Sequence, residues 1–294
     1  MRLSRLLLAS LILCGAALAA LAQTPGAATV TPYSMSDVTV APTRVIFEGR
    51  TRTSEVALIN LSDKTLTYSV SFTHIRMTET GQMQEITDPA PGEQFADDLV
   101  RFTPRRVILE PHKTQIVRLQ LREPADLPDG EYRSHLAFRV VPSVTQAAGA
   151  ESPDTQKGIS IQLTPVYGVS IPVIVRHGSL SASVALTNLS LSTAPASDGS
   201  GGGPQVSFQI DRAGNESVYG NIDVQLLASG KPAQVVGRLN GLAVYTPNAS
   251  RDVMVSLTIP QGLTLSGARL RVRYLDPAST EGDLTLGSGE IAVP

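Results

Sequence analysis

The sequence has one cysteine, Cys14, and it sits inside the apolar run Leu6 to Leu21 near the N-terminus. Arg2 and Arg5 precede that run, and Ala20-Leu21-Ala22 followed by Gln23 has the small-residue pattern of a cleavage site. Residues 1–22 are therefore expected to be a secretory signal peptide. A lipid attached through Cys14 would need a small residue before it, and Leu13 stands there. Without the signal the chain has no cysteine, so no disulfide can support it and stability must come from burial. No later run reaches the eighteen or so apolar residues of a membrane-spanning helix.

Cationic excess is also missing. Removing Arg2 and Arg5 takes Lys plus Arg from 24 to 22 against 26 Asp plus Glu, a net charge of −4. That balance suggests neither nucleic acid nor an acidic membrane surface as a partner. His74, His112, His135 and His177 are not spaced as metal pairs, and no metal or other cofactor is expected. No Gly-x-Ser-x-Gly elbow occurs. Ser134 and His135 are adjacent in a strand-like run, which would point them to opposite faces. Asp97-Asp98 reads as a solvated pair of acids, and the glycines from Gly199 to Gly203 lack the Lys-Ser/Thr of a phosphate loop. No catalytic set emerges, so an enzyme and a small-molecule substrate are not expected.

What is present is β-pattern. The stretch Gly158 to Arg176 alternates Ile159, Ile161 and Leu163, then Val169, Ile171, Val173 and Val175, with small or polar residues between. Period two is the signature of a strand. Seventeen residues at ~3.3 Å each would span roughly 56 Å. A domain of about 100 residues has a radius of gyration near 13 Å, so one small domain cannot contain such a strand. Pro165 and Pro172 lack the N–H needed inside a ladder, which places the strand at a sheet edge. No charge protects it between Ile159 and Val175. Either the chain covers that edge itself, with residues 30–40 as the candidate cover, or pairing with another chain is its purpose.

Strand-like runs precede it at Asp37 to Phe47, Glu55 to Asn60, Thr65 to Met77, Leu99 to Leu109, Thr114 to Leu121 and Tyr132 to Val141. Turn residues separate them, as at Asn60 to Asp63 and Leu127-Pro128-Asp129-Gly130. Seven more runs follow His177, from Leu180 to Val293. The expected fold is all-β, with two immunoglobulin-like β-sandwich domains. The expected division is a flexible lead-in at 23–36, a first domain at 37–176 and a second at 177–294. Residues 142–158 are polar and small, and are expected to be a mobile loop that feeds the long strand.

Several motifs occur in order. Pro42-Thr43-Arg44-Val45-Ile46-Phe47-Glu48-Gly49 is followed by Glu55 to Asn60 and Tyr68, then Phe102-Thr103-Pro104-Arg105-Arg106 with Leu109-Glu110-Pro111. Gln115-Ile116-Val117-Arg118-Leu119 and Leu127 to Ser134 complete the set. As an ordered set over about residues 37–176, they resemble the periplasmic pilus-assembly chaperones of the chaperone-usher pathway, in a divergent branch. That resemblance implies a boomerang arrangement of the two domains and a periplasmic chaperone. Such a chaperone holds a pilus-type (fimbrial) subunit lacking its last strand, lends its own edge strand, and passes the subunit to an outer-membrane usher. The donated residues would be Ile159, Ile161, Leu163 and Tyr167. Arg44 would anchor the subunit's C-terminal carboxylate. The family's second anchor, a lysine, aligns with Pro172, so Arg133 is the substitute considered, with Arg105 and Arg106 as further cations. Arg176 aligns with an arginine at the domain junction whose acidic partner the sequence leaves open. A free chaperone could cap its edge with a second copy. The rival reading is a structural surface protein or adhesin built of two immunoglobulin-like modules.

Overall fold

The computed structural model describes residues 33–35, 37–141, 168–195, 202–278 and 284–294. They contain eighteen strands and, among the described residues, no helix. The expected all-β fold of two sandwiches is the one observed.

The first sandwich is built from β1 (Tyr33–Met35), β2 (Val38–Ala41), β3 (Val45–Phe47), β4 (Thr53–Asn60), β5 (Leu66–Met77), β6 (Met83–Ile86), β7 (Val100–Thr103), β8 (Arg106–Leu109), β9 (Thr114–Leu121), β10 (Gly130–Val140) and β11 (Gly168–His177). One sheet runs β1-β2-β4-β9-β7 and the other β3-β11-β10-β5-β6, with β8 also on β5. Their inner faces enclose one core that includes Val40, Phe47, Leu58, Leu119, Leu136, Phe138, Ile171 and Val173. Tyr132 donates its hydroxyl to Pro128 O at 3.0 Å, the tyrosine corner common in immunoglobulin-like sandwiches. Asn60 is fully buried at the end of β4, and its amide donates to Lys64 O, Leu109 O and Glu110 O, which fixes the turn expected at 60–63.

Two runs expected as single strands are each split between the sheets. Asp37 to Phe47 becomes β2 in one sheet and β3 in the other, and Leu99 to Leu109 becomes β7 and β8 in the same way. Pro42 and Pro104 stand at the breaks. Each lacks the ladder donor and restrains the residue before it, so pairing stops there and the chain crosses to the other sheet. The inward positions change parity across each proline, from Val38 and Val40 to Val45 and Phe47, and from Val100 to Val107 and Leu109. Strand β6 had no sequence expectation.

The second sandwich has β12 (Ala182–Thr193), β13 (Pro204–Gly214) and β16 (Ser250–Ser256) in one sheet. Strands β15 (Gln234–Val244), β14 (Val218–Leu227), β17 (Arg269–Leu275) and β18 (Thr285–Ala292) form the other. Val206, Ile210, Ile222, Val224, Leu270, Val272 and Tyr274 fill its core. A third, smaller cluster joins the two sandwiches: Met77 and Ile174 from the first meet Ala243 and Tyr245 from the second, with Ile46 and Tyr219 against them. Asn248 Nδ2 donates to Met77 O at 2.8 Å and Asp252 N to Glu79 O at 2.8 Å across the same boundary.

Candidate functional site

Strand β11 has unequal sides. Along one side β10 pairs with it antiparallel over its whole length, from Gly130 opposite His177 to Arg139 opposite Gly168. On the other side β3 pairs parallel with only three residues, Val45 with Val173, Ile46 with Ile174 and Phe47 with Val175. From Gly168 to Pro172 no strand among the described residues covers the outer edge. The described part of the cover considered at residues 30–40 lies elsewhere: Tyr33–Met35 pair with Val38–Val40, and Val38–Ala41 pair with β4. The segment that does reach β11 is 45–47, delivered there by the break at Pro42. An uncharged open edge of this kind is what natural sheets ordinarily protect.

The odd residues of β11, Val169, Ile171, Val173 and Val175, are buried in the first core. Its even residues therefore face outward, on the side where the second sandwich sits. Register sets that outer face in rows. Arg44, just before β3, comes level with Pro172 of β11, His135 of β10 and Thr73 of β5. One row further, Ile46 meets Ile174 and then Arg133, and beyond that Arg176 lies opposite Glu131.

The three arginines on this face have different surroundings. Arg44 lies over the Tyr219 ring, Cζ 3.7 Å from its centroid, and makes no ion pair or hydrogen bond among the described residues. Burial pulls its pKa down from the ordinary arginine value, and a guanidinium so placed remains a cation. Arg133 is buried, stacks over Tyr245 at 4.3 Å, and donates to Ile75 O at 3.0 Å and to Thr246 O at 3.5 Å. Its Nε has no partner. Arg176 is the most fully engaged: it pairs with Glu216 at 2.8 Å, Glu131 at 3.2 Å and Glu48 at 3.3 Å, and donates to Ser217 O at 3.2 Å.

Glu131 was not singled out from sequence, yet it is the centre of the inter-sandwich contact. Its carboxylate is completely buried and accepts from Arg176, from the N–H and hydroxyl of Ser217, and from Thr246 Oγ1 at 3.3 Å. The signal was available: Glu131, Arg133 and His135 alternate in one strand and so share a face. His135 is 2% exposed with neither ring nitrogen partnered. Burial, and then the neighbouring Arg133, push its pKa down to about 3, so the ring is neutral at pH 7.

The remaining candidates lie apart from this face. Arg105 and Arg106 are exposed at the turn into β8, Arg105 with its Cζ 5.1 Å from the Phe102 ring centroid. Asp97 accepts from Ser134 Oγ at 2.9 Å and lies 3.0 Å from His74 Nε2, so its carboxylate holds a strand and a turn together. No cluster of three metal-ligating side chains occurs among the described residues. Ile159, Ile161, Leu163 and Tyr167 lie outside the described residues.

No protein-family model matches the sequence, and no curated protein matches it. Solved structures do. The class 5 fimbriae chaperone CfaA is 13% identical, with 88% of this chain and 99% of that one covered at a TM-score of 0.43. The CupB2 chaperone of Pseudomonas aeruginosa is 14% identical, with 87% and 100% covered at 0.42. The CsuC–CsuE chaperone–tip adhesion subunit pre-assembly complex, from archaic chaperone-usher Csu pili of Acinetobacter baumannii, gives 12%, 86% and 96%, and 0.41. Likenesses at these values transfer no residue's role.

Proposed function

We propose that this chain is a periplasmic chaperone that holds a pilus-type subunit by lending it an edge strand. The observation that supports this reading is the outer edge of β11 from Gly168 to Pro172, uncharged and without a partner strand among the described residues. The sequence that leads into it, with Ile159, Ile161 and Leu163 in alternation and Tyr167 after them, continues the same apolar period. A subunit short of one strand gains main-chain hydrogen bonds along such an edge and seats alternate side chains in its open groove. Three or four large side chains at ~1.5 to 3 kcal/mol each contribute roughly 5 to 10 kcal/mol before ordering costs.

The subunit's C-terminal carboxylate is held by Arg44, whose guanidinium has donors to spare among the described residues. Arg133 is the weaker of the two candidates, because its terminal nitrogens already hold the Ile75 and Thr246 carbonyls. Arg176 fixes the junction through its three glutamates. The loaded chaperone delivers its subunit to an outer-membrane usher and uses no nucleotide. The structural-module alternative calls for an internally paired edge, and no described strand covers Gly168 to Pro172.

The test is capture. The full chain, purified by affinity from periplasmic extract of its native cells, should carry a small β-rich protein in stoichiometric amount, identified by mass spectrometry. The Ile161→Asp, Leu163→Asp double variant should fold and lose it. A folded double variant that keeps its passenger would remove the strand-lending assignment.

A further inference from the structure

The second sandwich has an opening that strand lending does not use. Strands β15 and β16 are outer strands of its two sheets and form no ladder with each other. They are tied at two points. At one, Thr258 N donates to Val236 O at 2.7 Å, and Gly237 lies so close to Val255 and Leu257 that a Cβ would come within 2.9 and 3.0 Å of them. At the other, Arg251 Nη1 donates to Ala243 O at 2.7 Å. Between the ties β15 is bulged: Gly220 faces Leu242 and Ile222 faces Leu239, so Asn221 alone stands opposite Asn240 and Gly241. Gly241 has a φ of +70°, and its N–H is held by Asn221 Oδ1 at 2.9 Å. A bulge bends its strand, and a groove of about 630 Å³ opens here.

Small-ligand sites have volumes of roughly 300 to 1,000 Å³ and a mostly apolar lining with a few placed polar groups. Phe208, Leu242 and Val253 of the second core line this groove, with the half-buried Leu239. Met254 lines it too and is 65% exposed, more than any other large apolar side chain among the described residues. Thr80 reaches it from the turn between β5 and β6 of the first sandwich. That hairpin is separated from β11 by β10, so the groove stands apart from the open edge.

The lining has two charged residues, Arg251 and Asp252, which as neighbours in β16 point to opposite faces. Asp252 is engaged, accepting from Gln209 Nε2 at 3.1 Å. Arg251 is not: among the described residues it has no ion pair, and the bond to Ala243 O is its one hydrogen bond. Its Nε is buried without a partner, and its Nη2 has none either but is not enclosed. Gly81, at a φ of +81°, covers the guanidinium so closely that a Cβ there would collide with it. Burial pulls the pKa of Arg251 below the ordinary arginine value, and the group stays cationic. Buried polar groups are nearly always satisfied, so a guanidinium with unused donors at the end of an apolar groove has room for an anion the chain does not supply. We infer that the groove between β15 and β16 binds a single-chain amphiphile of the fatty-acid class. Its carboxylate meets Arg251 Nη2, and its apolar chain lies along Val253, Leu239 and Met254.

The test uses the full chain with carbon-13 in its methionine methyl groups and three probes. Decanoate carries head and chain, decanol the chain without charge, and butyrate the head with little chain. Decanoate should move the Met254 signal along one saturable curve and leave that of Met35, in β1 of the first sandwich, in place. Decanol and butyrate should each bind about tenfold more weakly or less. In Arg251→Gln the dissociation constant of decanoate should rise about tenfold, the loss of a hydrogen bond to a charged group, while that of decanol stays as in wild type. A Met254 signal that does not respond saturably to decanoate overturns the site. Decanol binding as tightly as decanoate overturns the role of Arg251, and butyrate doing so overturns the apolar groove. The wild-type comparison of the three probes decides even where the glutamine variant does not fold. The Ile161→Asp, Leu163→Asp variant should bind decanoate as wild type does, so this site and strand lending fail separately.

Discussion

The two halves of β11 are built from the same kinds of residue and do different work. From Val173 to His177 the strand is held: β10 lies along one side, β3 pairs with Val173 to Val175 on the other, Ile174 shares a cluster with Tyr245, and Arg176 is gripped by three glutamates. From Gly168 to Pro172 the inner residues Val169 and Ile171 are buried too, while the outer edge has no described partner. The difference shows that inward burial and lateral pairing are separable. A strand can be anchored firmly through alternate side chains and still present free main-chain groups, as the strand-lending proposal requires. Its cost is an aggregation hazard, which occupancy by a partner would remove.

Substitutions can break or sharpen this contrast. The largest loss of stability is expected at the closed end, from Glu131→Ala. That change leaves Arg176, Ser217 and Thr246 facing a buried gap and should cost about 3 to 5 kcal/mol in urea unfolding, with the transition of the two sandwiches becoming less concerted. Next is Ile174→Ala, which removes a 1% exposed side chain from the inter-sandwich cluster and should cost about 2 to 4 kcal/mol by the same measurement.

A middle-sized effect belongs to His135. Its pKa is near 6.5 in the unfolded chain and about 3 when folded, so the unfolded state binds more protons between those values. Its contribution to stability is complete above about pH 6.5 and is lost as pH falls, at up to about 1.4 kcal/mol per pH unit. Between pH 6.5 and 5, above the carboxylate range, wild type should lose roughly 1 to 2 kcal/mol and His135→Leu should lose much less. Equal slopes for the two proteins would contradict a buried neutral ring. The smallest effect on folding should come from Ser170→Glu, on the same face as Ile174 but in the open half, where the residue is exposed. Stability should change by less than about 0.5 kcal/mol, whereas capture of a subunit should fall because a carboxylate now lines the edge.

Much of the fold was legible in the sequence because alternation survives wherever one face of a strand is buried. The runs at 55–60, 65–77, 114–121, 132–141 and all seven after His177 correspond to observed strands within a few residues. The sheet changes at Pro42 and Pro104 were not read, although the parity shift from Val40 to Val45 and from Val100 to Val107 encodes them. Composition and period describe a strand, and they carry no statement of which sheet it joins. For the site, Arg44, Arg133 and Arg176 all fall on one face, as period two along β10 and β11 requires. Glu131 escaped notice, and His135 was weighed only as a metal ligand or catalytic base, because what each does depends on what covers it. An acid in a strand reads as solvated until Ser217 and Thr246 from the other sandwich close over it.

The most direct test of the central claim is amide hydrogen exchange along β11, in the chain alone and with the subunit it captures. In the free chain the amides that point outward between Gly168 and Ile171 should exchange quickly while those from Val173 to Val175 are protected. With the subunit bound, protection should extend back through the open half and into residues 159–167. Unchanged exchange from 159 to 171 in a verified complex would contradict strand lending.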